Sequence, residues 1–305
     1  TGHAITYQNP SWEWIFEENS FFATQYICCV AFLCKTILLA LPDRRVCSAR
    51  RQDDIHNDYA GVKNMNQNFM KEKPILPLVI SMSLPMVISM AINSLYNIVD
   101  SYFVAKISED AMTAISLVYP LQNLMTAIGV GFGIAMNARI AFCLGAKEQE
   151  KADEAAVTGM FLSVIHGIIL MIACMAGMPH FLRLYTKDVA IIEMGLTYAN
   201  RVFVFSVIIM LGISLEKIFQ SVGRMKVSMF SMMCGFISNI VLDPLMIFGI
   251  GPFPKMGMAG AAYATGIGQT ITLLVYVLFC IFRPLPLSFK RKNLSFNKAL
   301  LGNLY

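Results

Sequence analysis

From residue 75 onward the chain alternates between long apolar runs and short polar breaks. The runs are Ile75–Val104, Ala111–Leu144, Glu154–Pro179, Val189–Val222, Met225–Gly249 and Met258–Arg283. A bilayer core is about 30 Å thick and takes about 20 mostly apolar helical residues to cross. Each run is therefore long enough to span, with the excess absorbed by tilt or by projection beyond the lipid. The breaks carry helix-ending residues: Ser108-Glu109-Asp110, Gly145 ahead of Lys147-Glu148-Gln149-Glu150, Gly223-Arg224, and Gly249-Ile250-Gly251-Pro252. No stretch alternates at period two as a membrane barrel requires. The pattern predicts an all-α polytopic membrane bundle of six transmembrane helices.

Composition narrows the class. The 305 residues are 56% hydrophobic and 14% charged, with a mean hydropathy of +0.60. Soluble domains carry about 25% charged residues, so an ordinary soluble enzyme is excluded, and so is a disordered chain. Lys and Arg number 24 against 19 Asp and Glu, for a net charge of +5. Those basic residues punctuate apolar runs instead of clustering on one exposed face, so no nucleic-acid partner is expected; the partner is the lipid bilayer. With the segment before the first run placed in the cytoplasm, 13 basic residues, among them Lys71, Arg139, Lys217, Arg224 and Lys290, fall inside. Lys106, Arg183, Lys187, Arg201 and Lys255, 5 in all, fall outside. The positive-inside rule favours this orientation, with both ends of residues 65–305 cytoplasmic.

Three regions are expected. Residues 1–64 hold both tryptophans, four cysteines and the charged run Arg44 to Asp58, and read as a non-native or unrelated extension. Within them Phe21–Leu41 is apolar, but Lys35 interrupts it. Residues 65–284 form the six-helix unit, opened by Met65, Met70 and Lys71-Glu72-Lys73-Pro74. Residues 285–305 begin a cytoplasmic linker. The cysteines in the runs stand alone and behave as small apolar groups; no metal site is read from them.

Carboxylates inside the runs carry the chemistry, since a charge at mid-membrane costs about 2.5–3.5 kcal/mol on insertion scales. Two stand well inside: Asp100, in Asn93-Ser-Leu-Tyr-Asn-Ile-Val-Asp100, and Asp243, in Asn239-Ile-Val-Leu-Asp243-Pro244. Asn93, Asn97 and Asp100 share one helix face, and Asn239 and Asp243 share another. Two readings compete. Each carboxylate could be interhelical glue, or the two could converge to share a proton or hold a hard cation such as Na⁺ on oxygen ligands. No basic residue stands near the middle of a run, which disfavours simple ion pairing. Pro85, in the same run as Asp100, removes a backbone hydrogen bond and permits either a static kink or a hinge. Gly129-Val-Gly131-Phe-Gly133 lacks the strand context of a nucleotide loop and reads as a helix contact. Gly260-Ala-Ala-Tyr-Ala-Thr265 is a second small-residue face. His166 and His180 read as interior or terminal hydrogen-bonding residues.

Several motifs together resemble the N-terminal half of the multidrug and toxic compound extrusion (MATE) transporters: Leu84-Pro85, Leu95-Tyr-Asn-Ile-Val-Asp100, Tyr119-Pro120-Leu-Gln-Asn123, Leu144-Gly145-Ala-Lys, Gln220-Ser-Val-Gly223-Arg224, Asn239-Ile-Val-Leu-Asp243-Pro244 and Gly260-Ala-Ala-Tyr-Ala-Thr265. The resemblance covers residues 74–284. It implies one lobe of a twelve-helix transporter, a missing C-terminal lobe, and a plasma (inner) membrane location. It also implies export of small organic, often cationic compounds, with H⁺ or Na⁺ as coupling ion and no other cofactor. It nominates Asp100, Asn239, Asp243 and Thr265 for the ion and Pro85 for the helix bend, with Asn93 and Asn97 as supporting polar residues. Such a protein is not an enzyme. Two rivals are a lipid-linked oligosaccharide flippase, which would need basic residues in its cavity, and an intramembrane aspartyl protease, whose flanking glycines are missing around Asp100 and Asp243.

Overall fold

The computed structural model describes residues 75–283 and 285–289. The expectations for residues 1–64 and for most of the linker lie outside them. Among the described residues seven helices follow one another: α1 (Ile75–Ala105), α2 (Glu109–Gly145), α3 (Gln149–Tyr185), α4 (Val189–Val204), α5 (Ser206–Ser221), α6 (Met225–Phe248) and α7 (Met258–Phe282). Among the described residues there is no strand. By length and composition α2, α3, α6 and α7 can each cross a membrane, and the bent α4–α5 pair makes a fifth crossing if it is one span. The chain is thus a multi-pass membrane protein.

The ends follow local chemistry. Ser108 Oγ caps α2 by accepting from the Ala111 N–H at 3.0 Å, with Glu109 and Asp110 in the first turn. That arrangement satisfies an orphan donor and opposes the helix dipole. Asp188 caps α4 through Ala190 N–H at 2.8 Å. Gly249 ends α6 in the left-handed region at φ 72°, where a side chain would be strained.

Two expected boundaries are corrected. The run Val189–Val222 is not one helix: it breaks at Phe205 with a bend of 50°. Neither Pro nor Gly stands at the break. Instead Ser206 Oγ donates to the Phe203 carbonyl at 2.6 Å and sits 3.1 Å from Met125 Sδ, a side-chain bond that competes with the helix ladder. The run ending at Pro179 continues to Tyr185, with Pro179 inside α3.

Helices α2, α3 and the α4–α5 pair pack into one group, α1, α6 and α7 into another, and α4 and α5 join them through α7. Gly129 and Gly133 serve as helix contacts, as their spacing predicts. A Cβ on Gly129 would stand 2.7 Å from Met210 Sδ, and one on Gly133 would stand 2.8 Å from Lys217 Cγ, both on α5. Two apolar cores result. One gathers Val118, Met178, Leu182, Phe203 and Ile247. The other gathers Met136, Ile140, Ile218, Phe219 and Tyr276 at the end of the bundle where Arg224 and Arg283 lie. Leu285 and Leu287 join this second core. Asp153 Oδ1 fixes them in place by accepting from Ser288 N–H at 3.0 Å and from Gln149 Nε2 at 2.9 Å. The segment after α7 therefore starts as a docked strap.

Candidate functional site

Helix α1 packs chiefly on α6, and this contact brings the two intramembrane carboxylates together. The side chains of Asp100 and Asp243 meet within hydrogen-bonding reach of each other. Asp243 is fully buried and Asn239 is 2% exposed. Asp100 Oδ1, both carboxylate oxygens of Asp243 and Asn239 Oδ1 are buried with no hydrogen-bond donor. Neither aspartate has an ion pair among the described residues. Arg201 instead donates from Nη1 to the Thr197 carbonyl at 2.7 Å and lies over the Tyr263 ring.

The surrounding polar groups come from five helices. Asn239 Nδ2 donates to Thr265 Oγ1 at 3.4 Å, and Thr265 Oγ1 in turn bonds the Ala261 carbonyl. The Tyr96 hydroxyl of α1 is 3.5 Å from Thr265 Oγ1, and its ring stacks on Phe236 at 5.3 Å. The Tyr198 hydroxyl of α4 reaches both Gln122 of α2 and Thr265. Thus Asp100, Asn239, Asp243 and Thr265, named from the sequence, converge. Asn97 does not join them through its amide, which donates to the Asn93 carbonyl of its own helix at 2.8 Å; Asn93 and Asn97 lie one turn or more along α1. Pro85 is buried within α1, its carbonyl accepting from Ser89 Oγ at 2.9 Å.

Sequence reasoning passed over Tyr96, Gln122 and Tyr198. Tyr96 was within reach of it, being one turn from Asp100 on the same face. Gln122 and Tyr198 become partners only through tertiary packing.

Four buried acceptor oxygens facing no donor form an electrostatically deficient pocket. Buried acceptors without partners cost about 1–3 kcal/mol each, more when charged, and two carboxylates in contact repel. A proton between them or a hard cation on these oxygens would relieve both costs. Among the described residues no cluster of three or more His, Cys, Asp or Glu suits a transition metal.

The MatE family model matches residues 85–245. The chain is 25% identical over 238 residues to the multidrug export protein MepA of Staphylococcus haemolyticus, an alignment covering 78% of this chain and 52% of that protein. A solved multidrug resistance MATE family transporter of the MOP superfamily, in an outward-facing conformation, shares 27% identity and a TM-score of 0.70 over 74% of this chain and 50% of its own. A crystal structure of MATE in the bent conformation gives 27% identity and a TM-score of 0.69 over the same shares. The chain spans about half the length of the relatives it matches.

Proposed function

Because the chain belongs to the MatE family, we propose that it supplies one lobe of a secondary exporter of small organic, often cationic compounds, driven by inward H⁺ or Na⁺. The observation that carries this reading is the contact of Asp100 and Asp243 amid four buried oxygens that have no donor. In this reading the pair binds one proton or one cation, Asn239 and Thr265 complete the oxygen set, and Tyr96 and Tyr198 orient Thr265. The ion's affinity differs between two arrangements of the lobe, and only that difference can shift their populations.

Helix α1 supplies the moving part. Asp100 lies fifteen residues beyond Pro85, about 22 Å along the helix. Pro85 donates no backbone hydrogen bond, so bending there is cheaper than elsewhere in α1. Neutralising the pair removes the repulsion between α1 and α6, which lets α1 settle against α6 and reshapes the substrate cavity. The 31-residue α1 is the sixth crossing. A second lobe supplies the opposing wall that alternating access needs. The basic asymmetry orients both ends of residues 65–305 to the cytoplasm in the plasma membrane.

The flippase alternative calls for basic groups lining a cavity, and the groups around Asp100 and Asp243 are acidic, amide and hydroxyl. The test is ion-driven efflux of a cationic dye from vesicles carrying the protein with its second lobe. Asp100→Asn and Asp243→Asn should each abolish it, and efflux at the unmodified rate in either would overturn the assignment.

A further inference from the structure

A second buried polar centre lies about 22 Å along α6 from Asp243, fifteen residues away, at the end marked by Arg224 and Arg283. Lys217 Nζ is 3.0 Å from Glu216 Oε1 and donates to Gln220 Oε1 at 3.2 Å. Gln220 Nε2 closes the triangle on Glu216 Oε1 at 2.7 Å. Consecutive residues on a helix point about 100° apart, so this pair meets only because Gln220, one turn on, draws both heads together. Gln220 then reaches Ser228 of α6 at 3.5 Å, and Ser228 Oγ and the Tyr276 hydroxyl of α7 are 3.2 Å apart. The Lys217 stem runs across Gly133 of α2. The pair is only partly buried, with side chains 11% and 16% exposed; an ion pair of this kind is poor evidence of stability, and its best-attested uses are register and switching. The ion chemistry at Asp100 and Asp243 makes no use of this one.

The two centres are joined by a seam with no slack. A Cβ on Gly235 of α6 would strike Thr272 Oγ1 and stand 2.7 Å from the Gly268 carbonyl oxygen of α7. One on Gly268 would stand 2.9 Å from the Gly235 carbonyl, and one on Gly260 would stand 2.5 Å from that of Met246. Backbones in contact at these levels must shift together. The Asn239–Thr265 and Ser228–Tyr276 contacts keep one antiparallel register, and Ser231 of α6 lies between them. Ser231 is 0% exposed and its Oγ has no hydrogen-bond partner. An orphan hydroxyl in the middle of a tight seam carries an uncompensated desolvation penalty, which a second arrangement of the seam can relieve.

We propose that α6 and α7 act as one lever between the carboxylate pair and a latch formed by Glu216, Lys217, Gln220, Ser228 and Tyr276, the latch opening or closing with ion occupancy of the pair. The latch members are positioning residues, and the inference rests on the reading of Asp100 and Asp243 as the ion site.

The test is hydrogen exchange by mass spectrometry on the 305-residue chain in lipid nanodiscs, with Na⁺ and acid titrations of the same samples. Asp100→Asn with Asp243→Asn should change exchange across residues 214–228 and 272–282 by about fivefold or more, the lower end of typical coupling between sites. Tyr276→Phe keeps the ring stacked on Phe219 while removing the hydroxyl, and should erase that response; Gln220→Ala should do the same. Exchange at the latch unmoved by neutralising the pair, or a response undiminished in both latch variants, overturns the lever. Ion binding unchanged in the double aspartate variant overturns the ion-site reading and the lever with it. Binding lost with exchange unmoved overturns the lever alone.

Discussion

Replacing Asp243 with Asn should stabilise the ion-free protein, the reverse of what usually follows from altering a fully buried polar residue. With neither a proton nor a cation bound, the pair is two carboxylates in contact. Two unit charges about 4 Å apart repel by roughly 4 kcal/mol at an effective dielectric near 20. Asn removes one charge, and its Nδ2 can donate to Asp100, a hydrogen bond to a charged group contributing about 1.5–3 kcal/mol. Allowing for imperfect geometry, Asp243→Asn should gain about 2–4 kcal/mol. At roughly 2–4 °C per kcal/mol for large domains, the melting midpoint should rise by roughly 5–15 °C. The unmodified protein should gain stability on adding Na⁺ or acid instead, by about 2.7 kcal/mol at a hundredfold excess over the dissociation constant, and the variant should gain little. A thiol-reactive dye reports unfolding through Cys143 and Cys174, buried at 0% and 6% exposure, once the other six cysteines are replaced by Ser. An Asp243→Asn protein that melts at or below the unmodified one under these conditions, and still responds fully to the ion, would refute the electrostatic argument.

Other variants probe the moving and packing parts. Pro85→Ala should restore a backbone hydrogen bond and stiffen α1, leaving the melting midpoint unchanged or higher while slowing dye efflux severalfold; unaltered efflux would remove Pro85 from the mechanism. Gly133→Leu forces a side chain into the Lys217 stem and should destabilise by about 1–3 kcal/mol, as overpacking does, a loss that denaturation in detergent would register. Asp153→Ala should speed amide exchange at Ser288, whose N–H loses its acceptor. Asp153→Asn, which keeps an acceptor oxygen, should largely restore protection.

Much of this architecture is visible in the sequence because lipid imposes it: apolar length and helix-ending residues are one-dimensional signals. Asp100 and Asp243 were legible for the same reason, since a carboxylate in an apolar run is costly and stands out. Their meeting was not, because nothing in the order of residues records that α1 packs on α6. The break at Phe205 escaped for a different reason: it arises from a serine back-bond rather than from Pro or Gly. Glu216 and Lys217 read as ordinary residues near a helix end, and only the tertiary positions of Gln220, Ser228 and Tyr276 reveal a buried network. Tyr198 and Gln122 likewise acquire meaning through contacts between α4 and α2.

The most direct measurement is the stoichiometry of ion binding to the 305-residue chain in nanodiscs, by calorimetric titration with Na⁺ and with acid. On the proposed shared site, the unmodified chain should bind one ion, and Asp100→Asn or Asp243→Asn alone should eliminate that binding. Binding that survives intact in either single variant would contradict a shared site.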